Sequence, residues 1–254
     1  MAWRDPLSSR WFPVGCLESD SDAQHYRFYY IKGAEQAVKA GFAPLASFPE
    51  THIWYLSEQL FPLFANRVPP PSRPEFRDYL QWLDLRVTES DPVAILARSG
   101  GHRVTDTLEI FPLPEGQTEE YLIYFPLDGL SAIPNEAATR AVQLTPDEPL
   151  RVNFGDPQDP NARYTVQVRA DRTIYDIGSL PQYLHLDRNR WLAMPHIEVA
   201  RVNCPPAPIQ FRVLCKAQIT LRPGSKPFDW PDLKPIVHVN VARFFHLAPA
   251  QVQP

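Results

Sequence analysis

Proline is the feature that most limits what this chain can fold into. The 254 residues hold 29 prolines and only 10 glycines, a proline share roughly twice the usual ~5%. Proline lacks a backbone N–H and clashes with the preceding turn, so it is excluded from helix interiors and central strands. The chain is therefore expected to form short elements joined by rigid loops. The length suits one large domain or two ordinary ones. Apolar content of 44% and charged content of 21% are those of a globular protein.

Two helices are well punctuated. In "SRPEFRDYLQWLDL", Ser72 and Glu75 have the S-x-x-E spacing of a capping box, in which each side chain satisfies the other's backbone donor. Phe76, Tyr79, Leu80 and Leu83 then fall at i, i+3, i+4 and i+7, one buried stripe. "SEQLFPLFANRV" before it is interrupted by Pro62 and reads as one short helix or two turns. In "DPVAILARSGG", Asp91 is placed to cap, Pro92 suits the first helical position, and Val93, Ile95 and Leu96 supply the buried side. Gly100 and Gly101 then stop the helix, because glycine takes the left-handed conformation that closes it. Anion cradles form at helix N-termini, whereas these glycines lie at a C-terminus. Arg98, His102 and Arg103 accordingly read as complements to that end's partial negative charge. Val104, Asp106, Leu108 and Ile110 alternate with polar residues as in a strand.

After the turn-rich "PLPEGQTEE" the pattern becomes mainly β. Strands are expected at 121–127, 150–154, 164–169 and 173–178, with Asp171-Arg172 as a tight turn between the last two. Residues 181–193 read as helical for at most three turns. Two longer strands, 196–203 and 210–221, flank "CPPAP". In the second of these, Phe211, Val213, Cys215, Ala217 and Ile219 share one face. The tail after 223 is proline-rich and reads as extended. The expected organisation is two small mostly antiparallel domains of the α+β class, 1–115 and 116–224, followed by a tail over 225–254.

Charge is unevenly spread. Residues 1–119 carry 11 Lys/Arg against 16 Asp/Glu, a net of −5, while 151–222 carry 10 against 6, a net of +4. The first half repels polyanions and the later segment tolerates them. No run of ~18 apolar residues points to a membrane span. The charged N-terminus lacks the apolar core of a signal peptide. Cys16, Cys204 and Cys215 are an odd set without close spacing. Together these features imply a cytoplasmic, reducing setting.

Catalytic and metal signatures are absent from the sequence. It contains no CxxC, HExxH or G-x-S-x-G pattern. Cys204 and Cys215 read as structural thiols. Asp156/Asp159 and Asp20/Asp22 sit in turn-like stretches, where Asp bonds the local backbone. The reading is of a non-enzyme with no cofactor or metal. Aromatics are plentiful at 12%, with dense groups at Tyr26, Phe28, Tyr29 and Tyr30 and at Trp54, Tyr55, Phe61 and Phe64. In the second half Tyr164, Tyr175 and Tyr183 lie among Arg163, Arg169, Arg172, Arg188 and Arg190. Rings that stack bases, interleaved with cations that follow phosphates, are what a single-stranded nucleic-acid platform needs. A solvated face with half-buried tyrosines fits the same pattern.

Residues 14–112 resemble the small N-terminal subdomain of HipA-type kinases. The resemblance rests on "VGCL", "YRFYYIKGA", "PLASFP", "FPLFANRVPP" and "DPVAILARSGG", in that order. Thr105-Asp106-Thr107-Leu108 stands where the family continues with a Gly-Ala-Leu pattern. The family's kinase chemistry lies in a longer region with no counterpart here. In some toxin–antitoxin systems the subdomain occurs as a separate chain that restrains its kinase, so the resemblance implies an antitoxin-like or accessory chain docking on a kinase-type enzyme.

Residues 121–222 resemble a HIRAN domain, a small β-barrel, through "YFPLDGL", "PLRVNFGDPQDPNARYTVQV" and "IYDIGSLPQYL". Ala162, Gln182 and Ser131-Ala132-Ile133 replace residues usual in that pattern. Such domains are associated with DNA repair and remodelling proteins, and one type grips single-stranded DNA ends; the chain itself reads as a bacterial-type protein. Arg151, Asn161, Arg163, Tyr164, Tyr183 and Arg188 are the candidate nucleic-acid-binding residues. The expected function is a regulatory or adaptor protein that binds single-stranded DNA without catalysis. The alternative is the protein-docking role.

Overall fold

Among the described residues, helices run no longer than the eight residues of Pro92–Ser99, as the proline content requires. The computed structural model describes residues 1–20, 25–89, 91–114, 119–153, 165–170, 173–236 and 242–244, with the side chains of 168–170 left out. In chain order the elements begin with β1 (Ala2–Arg4), β2 (Trp11–Pro13), β3 (Gly15–Asp20), β4 (His25–Tyr30), α1 (Gly33–Lys39), β5 (Trp54–Ser57), α2 (Pro62–Ala65), α3 (Phe76–Trp82), α4 (Pro92–Ser99) and β6 (Leu108–Glu109). They continue with β7 (Glu120–Pro126), α5 (Asn135–Ala141), β8 (Pro149–Asn153), β9 (Thr165–Ala170), β10 (Thr173–Ser179), α6 (Gln182–Asp187), β11 (His196–Val202), β12 (Val213–Thr220) and β13 (Ala242–Phe244). No helix of the described residues is long and apolar enough to cross a membrane.

The chain forms two units, and their borders differ from those expected. The first comprises Met1–Pro69, Gly101–Ile110 and Trp230–Pro254, and the second Pro70–Gly100 and Phe111–Asp229. The boundaries expected at 115 and 224 are corrected in two respects. The stripe of α3 and the helix α4 fall within the second unit, and the described residues from Trp230 onward fall within the first.

In the first unit, β13-β5-β4-β3 form one sheet and β2-β1-β6 another. All pairings are antiparallel except β13 with β5. The dense aromatic groups are mainly core. Phe28, Tyr30, Phe48, Tyr55, Phe61 and Phe64 are buried, and the Phe28 and Phe48 rings stack with centroids 4.1 Å apart. The Tyr30 hydroxyl donates to the Phe48 carbonyl at 2.8 Å and accepts from the Leu45 N–H at 2.7 Å. Tyr30→Phe removes both of these bonds and is expected to cost about 2–3 kcal/mol. Burial pushes the Tyr30 phenol up to about 12. An unfolded tyrosine ionises near 10, so this stability is complete below pH 10 and is lost as pH rises toward 12. Urea melts of the two proteins from pH 8 to 11 check both points: the Phe variant starts lower and declines less steeply.

The 101–110 segment departs from the expected strand. Val104 is fully exposed, and the ladder shrinks to β6. Asp106 is drawn out of the alternation by Arg67, at 2.5 Å, and by the Leu108 N–H, at 3.1 Å. A carboxylate bound to a guanidinium and a local amide does not enter a ladder.

In the second unit the order is β10-β9-β8-β11-β12-β7, antiparallel throughout. The face predicted for β12 is buried, with Cys215, Ala217 and Ile219 covered, and β7 buries Tyr121, Ile123 and Phe125 in alternation. Strand β8 bends between two partners, with Pro149 and Leu150 paired to β11 and Arg151–Asn153 to β9. Past the end of β7, an isolated bridge forms with the end of β10: Asp128 and Ser179 exchange backbone hydrogen bonds of 3.2 and 2.9 Å. Gly178 makes that approach possible, since a Cβ there would lie 2.6 Å from the Asp128 carbonyl oxygen.

Helix α4 follows its sequence signals. The Asp91 carboxylate accepts from the Ala94 N–H at 3.2 Å, and Gly100 sits at φ +77° with its N–H on the Leu96 carbonyl. Ile95 and Leu96 are fully buried, while Val93 is only partly covered. Arg98 does not serve its own helix end. It donates to the Leu83 carbonyl at the end of α3, at 3.2 Å, and stacks over the Tyr124 ring at 3.8 Å. The Ser72–Glu75 box does not form. Turns closed by Arg73 N–H on Pro70 and Phe76 N–H on Arg73 intervene, and Glu75 precedes the helix without a side-chain cap. The predicted stripe of α3 nonetheless holds, with Phe76, Leu80 and Leu83 buried and the Tyr79 ring edge-on to Phe211 at 5.6 Å.

Candidate nucleic-acid interface

The β8-β9-β10 ribbon carries the first predicted residue. Strand alternation puts Leu150 and Val166 inward and Arg151, Asn153, Thr165 and Gln167 outward. The register sets Arg151 beside Gln167 and Asn153 beside Thr165. Arg151 and Asn153 are exposed. Asp176 lies at the centre of this face and accepts from Gln167 at 2.7 Å and from Thr165 at 3.1 Å. Among the described side chains this face thus offers the Arg151 guanidinium and several amide and hydroxyl groups around the anchored Asp176 carboxylate.

Asn161, Arg163 and Tyr164 lie outside the described residues. So do Arg172, Asp22, Asp156 and Asp159, and with them the predicted 171–172 turn. Tyr183 requires correction as a base-stacking residue. It is 4% exposed and stacks on Phe111, with centroids 5.2 Å apart and planes at 16°. Helix α6 turns it into the core beside Phe228, which leaves no ring face for a base. Tyr175 is half-buried.

Arg188 begins the short 3-10 turn Arg188–Arg190 that follows α6, and is half-buried. Here the structure brings together cations that sequence spacing kept apart. An antiparallel bridge joins Trp191 to Leu221, and the Arg222 N–H donates to the Arg190 carbonyl at 2.8 Å. Arg190 and Arg222 therefore face each other across two chain segments. Pro223 and Gly224 then reverse the chain: Gly224 is at φ +78° and the Ser225 N–H bonds the Arg222 carbonyl at 2.9 Å, the arrangement of a type II turn. Exposed Lys226 follows.

Like charges set opposite each other repel, and each arginine is handled differently. Arg190 bonds the Asp229 carbonyl and lies 3.7 Å from the buried carboxylate of Asp187. Arg222 is exposed and uses its Nε on the Trp191 carbonyl at 3.3 Å. Glu119 balances part of this charge and holds the Gly224 N–H at 2.9 Å. Arg222 and Lys226 were missed in the sequence reading because they straddle the expected start of the tail. The Pro-Gly pair between them was the available signal, since it marks a reversal that keeps both at one place.

The cysteines are free thiols. Cys215 is buried in β12, where burial pushes its thiol up, and Cys204 is exposed in the loop after β11. Cross-strand partners of Cys215 are Val199 and Phe125. Among the described residues no group of three His, Cys, Asp or Glu side chains is arranged to hold a metal ion. No protein-family model, curated protein or solved structure matches the chain.

Proposed function

We propose that this protein is a non-catalytic, nucleic-acid-associated regulatory or adaptor protein whose second unit holds single-stranded DNA. The observation that carries this reading is the facing pair Arg190 and Arg222, with Arg188 and Lys226 on the same two segments. Guanidinium forks match phosphate oxygens, and such cations track a backbone without reading sequence. Arg151 and Asn153 on the ribbon add a second, polar contact region. The fold reading behind the proposal is a HIRAN-like β-barrel. It is supported by the six-strand order and by the Asp128–Ser179 bridge past the end of β7.

The test is fluorescence anisotropy with a labelled 20-nucleotide single strand over a range of salt concentrations. Each phosphate contact on a single strand contributes about 0.7 to the slope of log affinity against log salt. Arg222→Ala/Lys226→Ala is expected to weaken binding and to flatten that slope by about 1.4. Absence of binding at low salt, or binding indifferent to salt, overturns the reading.

A further inference from the structure

The first unit contains a contact of a different kind. Strand β13 lies parallel to β5, with Ala242 beside Trp54, Arg243 beside Tyr55 and Phe244 beside Leu56. It is the only parallel pairing among the described strands. Its three described residues are all exposed, with Phe244 at 59%. Before it, the tail is tied down independently: the Lys32 N–H bonds Lys234 and the Ile236 N–H bonds Tyr30.

Strand β5 is prepared to receive such a strand. Tyr29 stacks on Trp54, with centroids 4.9 Å apart, and Arg27 lies 4.7 Å over the Trp54 ring. This fixes the indole as a wall beside the small Ala242. Leu56 offers an apolar neighbour to Phe244. The Tyr55 hydroxyl bonds the Glu50 backbone at both its N–H, 2.8 Å, and its carbonyl, 3.1 Å. That places the Glu50 carboxylate 2.7 Å from Arg243. The edge therefore selects three consecutive residues by chemistry: small, basic, aromatic. Main-chain bonds supply affinity in strand addition, and side-chain pockets supply specificity.

The resident strand is weakly held. Its ion pair is exposed on both sides, the setting in which such pairs contribute least. Parallel pairing is slightly less stable per residue than antiparallel. Its advantage is tethering, which raises its local concentration without further contacts. We infer that the β5 edge is a strand-docking site for an extended segment of another protein carrying a small–basic–aromatic triplet, and that Ala242–Phe244 occupies it as an internal stand-in. The segment displaces the stand-in, pairs along β5, and sets its basic residue against Glu50.

The probe is a fluorescein-labelled peptide of residues 239–247, titrated against the full-length protein. Arg243→Glu/Phe244→Asp in the protein vacates the edge and is expected to raise peptide affinity at least tenfold. Adding Glu50→Lys to that protein lowers affinity about threefold to fivefold, the range of one exposed ion pair. A peptide with glutamate in place of its arginine recovers the loss. Independently, Glu50→Lys in the chain with its own tail loosens the stand-in, so amide exchange over Trp54–Ser57 quickens. No gain on vacating the edge overturns the inference, as does indifference of both peptide binding and amide exchange to Glu50→Lys.

Discussion

Asp187→Ala is expected to destabilise the second unit by about 3–5 kcal/mol, the range for removing one partner of a buried charge pair. Asp187 is 0% exposed. Its carboxylate accepts from the Tyr121 hydroxyl at 2.9 Å and from the Phe228 N–H at 3.3 Å, and it faces the Arg190 guanidinium at 3.7 Å. One side chain thus joins α6 to β7 and to the segment that returns after β12. Alanine removes an acceptor from a buried hydroxyl and a buried amide and the charge that faces the Arg190 guanidinium, and each loss carries a cost. Asp187→Asn keeps the shape and one acceptor oxygen but removes the charge, so a smaller loss is expected. The tyrosine provides a second readout. Burial and, next, the Asp187 carboxylate push the Tyr121 phenol far up. In the Asn variant the second cause is gone, and Tyr121 ionises at lower pH in a spectrophotometric titration. Urea melts followed by tryptophan fluorescence give the stability change. A loss below about 1 kcal/mol for the alanine variant would show that the carboxylate does not hold these segments together.

What could be read in advance follows the range of the interactions involved. Helix α4 was legible because its start, Asp91-Pro92, and its stop, Gly100, act within one turn of the residues they cap. Strand β12 was legible because it buries alternate side chains along its own length, and β7 because it is a short apolar run after a turn-rich stretch. The assignment of α3 and α4 to the second unit was not, because a buried stripe does not state which core it faces. That is decided by long-range contacts such as Tyr79 on Phe211 and Asn203 on the Trp82 carbonyl. Helix α5 was missed for lack of contrast, since its buried side is Ala137 and Ala141, too small to mark a stripe. The candidate site failed in the same way at Tyr183. In sequence it is indistinguishable from Tyr175, and only the Phe111 ring, 72 positions earlier, decides that it is core.

Arg67→Met is expected to cost the first unit a comparable 3–5 kcal/mol, and the reason lies in how the unit is threaded. Gly101–Ile110 belongs to this unit although residues on both sides of it belong to the other. Ten residues between two departures have few means of staying in place. Arg67 supplies them from the end of α2. Its side chain is 0% exposed, and its fork donates to the Leu63 carbonyl at 3.1 Å, the Gly101 carbonyl at 2.7 Å and the Asp106 carboxylate at 2.5 Å. Methionine fills most of the volume but removes all three of these bonds. Lysine keeps the charge but cannot place three bonds from one plane, so Arg67→Lys is expected to lose part of the same stability. Asp106→Asn is milder, because that side chain is 31% exposed and water replaces some of what the guanidinium gave. In a double-mutant cycle, Arg67→Met and Asp106→Asn should therefore be strongly non-additive. Local opening gives a further check: amide exchange at Leu108 quickens in Arg67→Met, since its N–H bonds Asp106, the residue that Arg67 holds. Additive losses with unchanged exchange at Leu108 would place the anchor of this segment elsewhere.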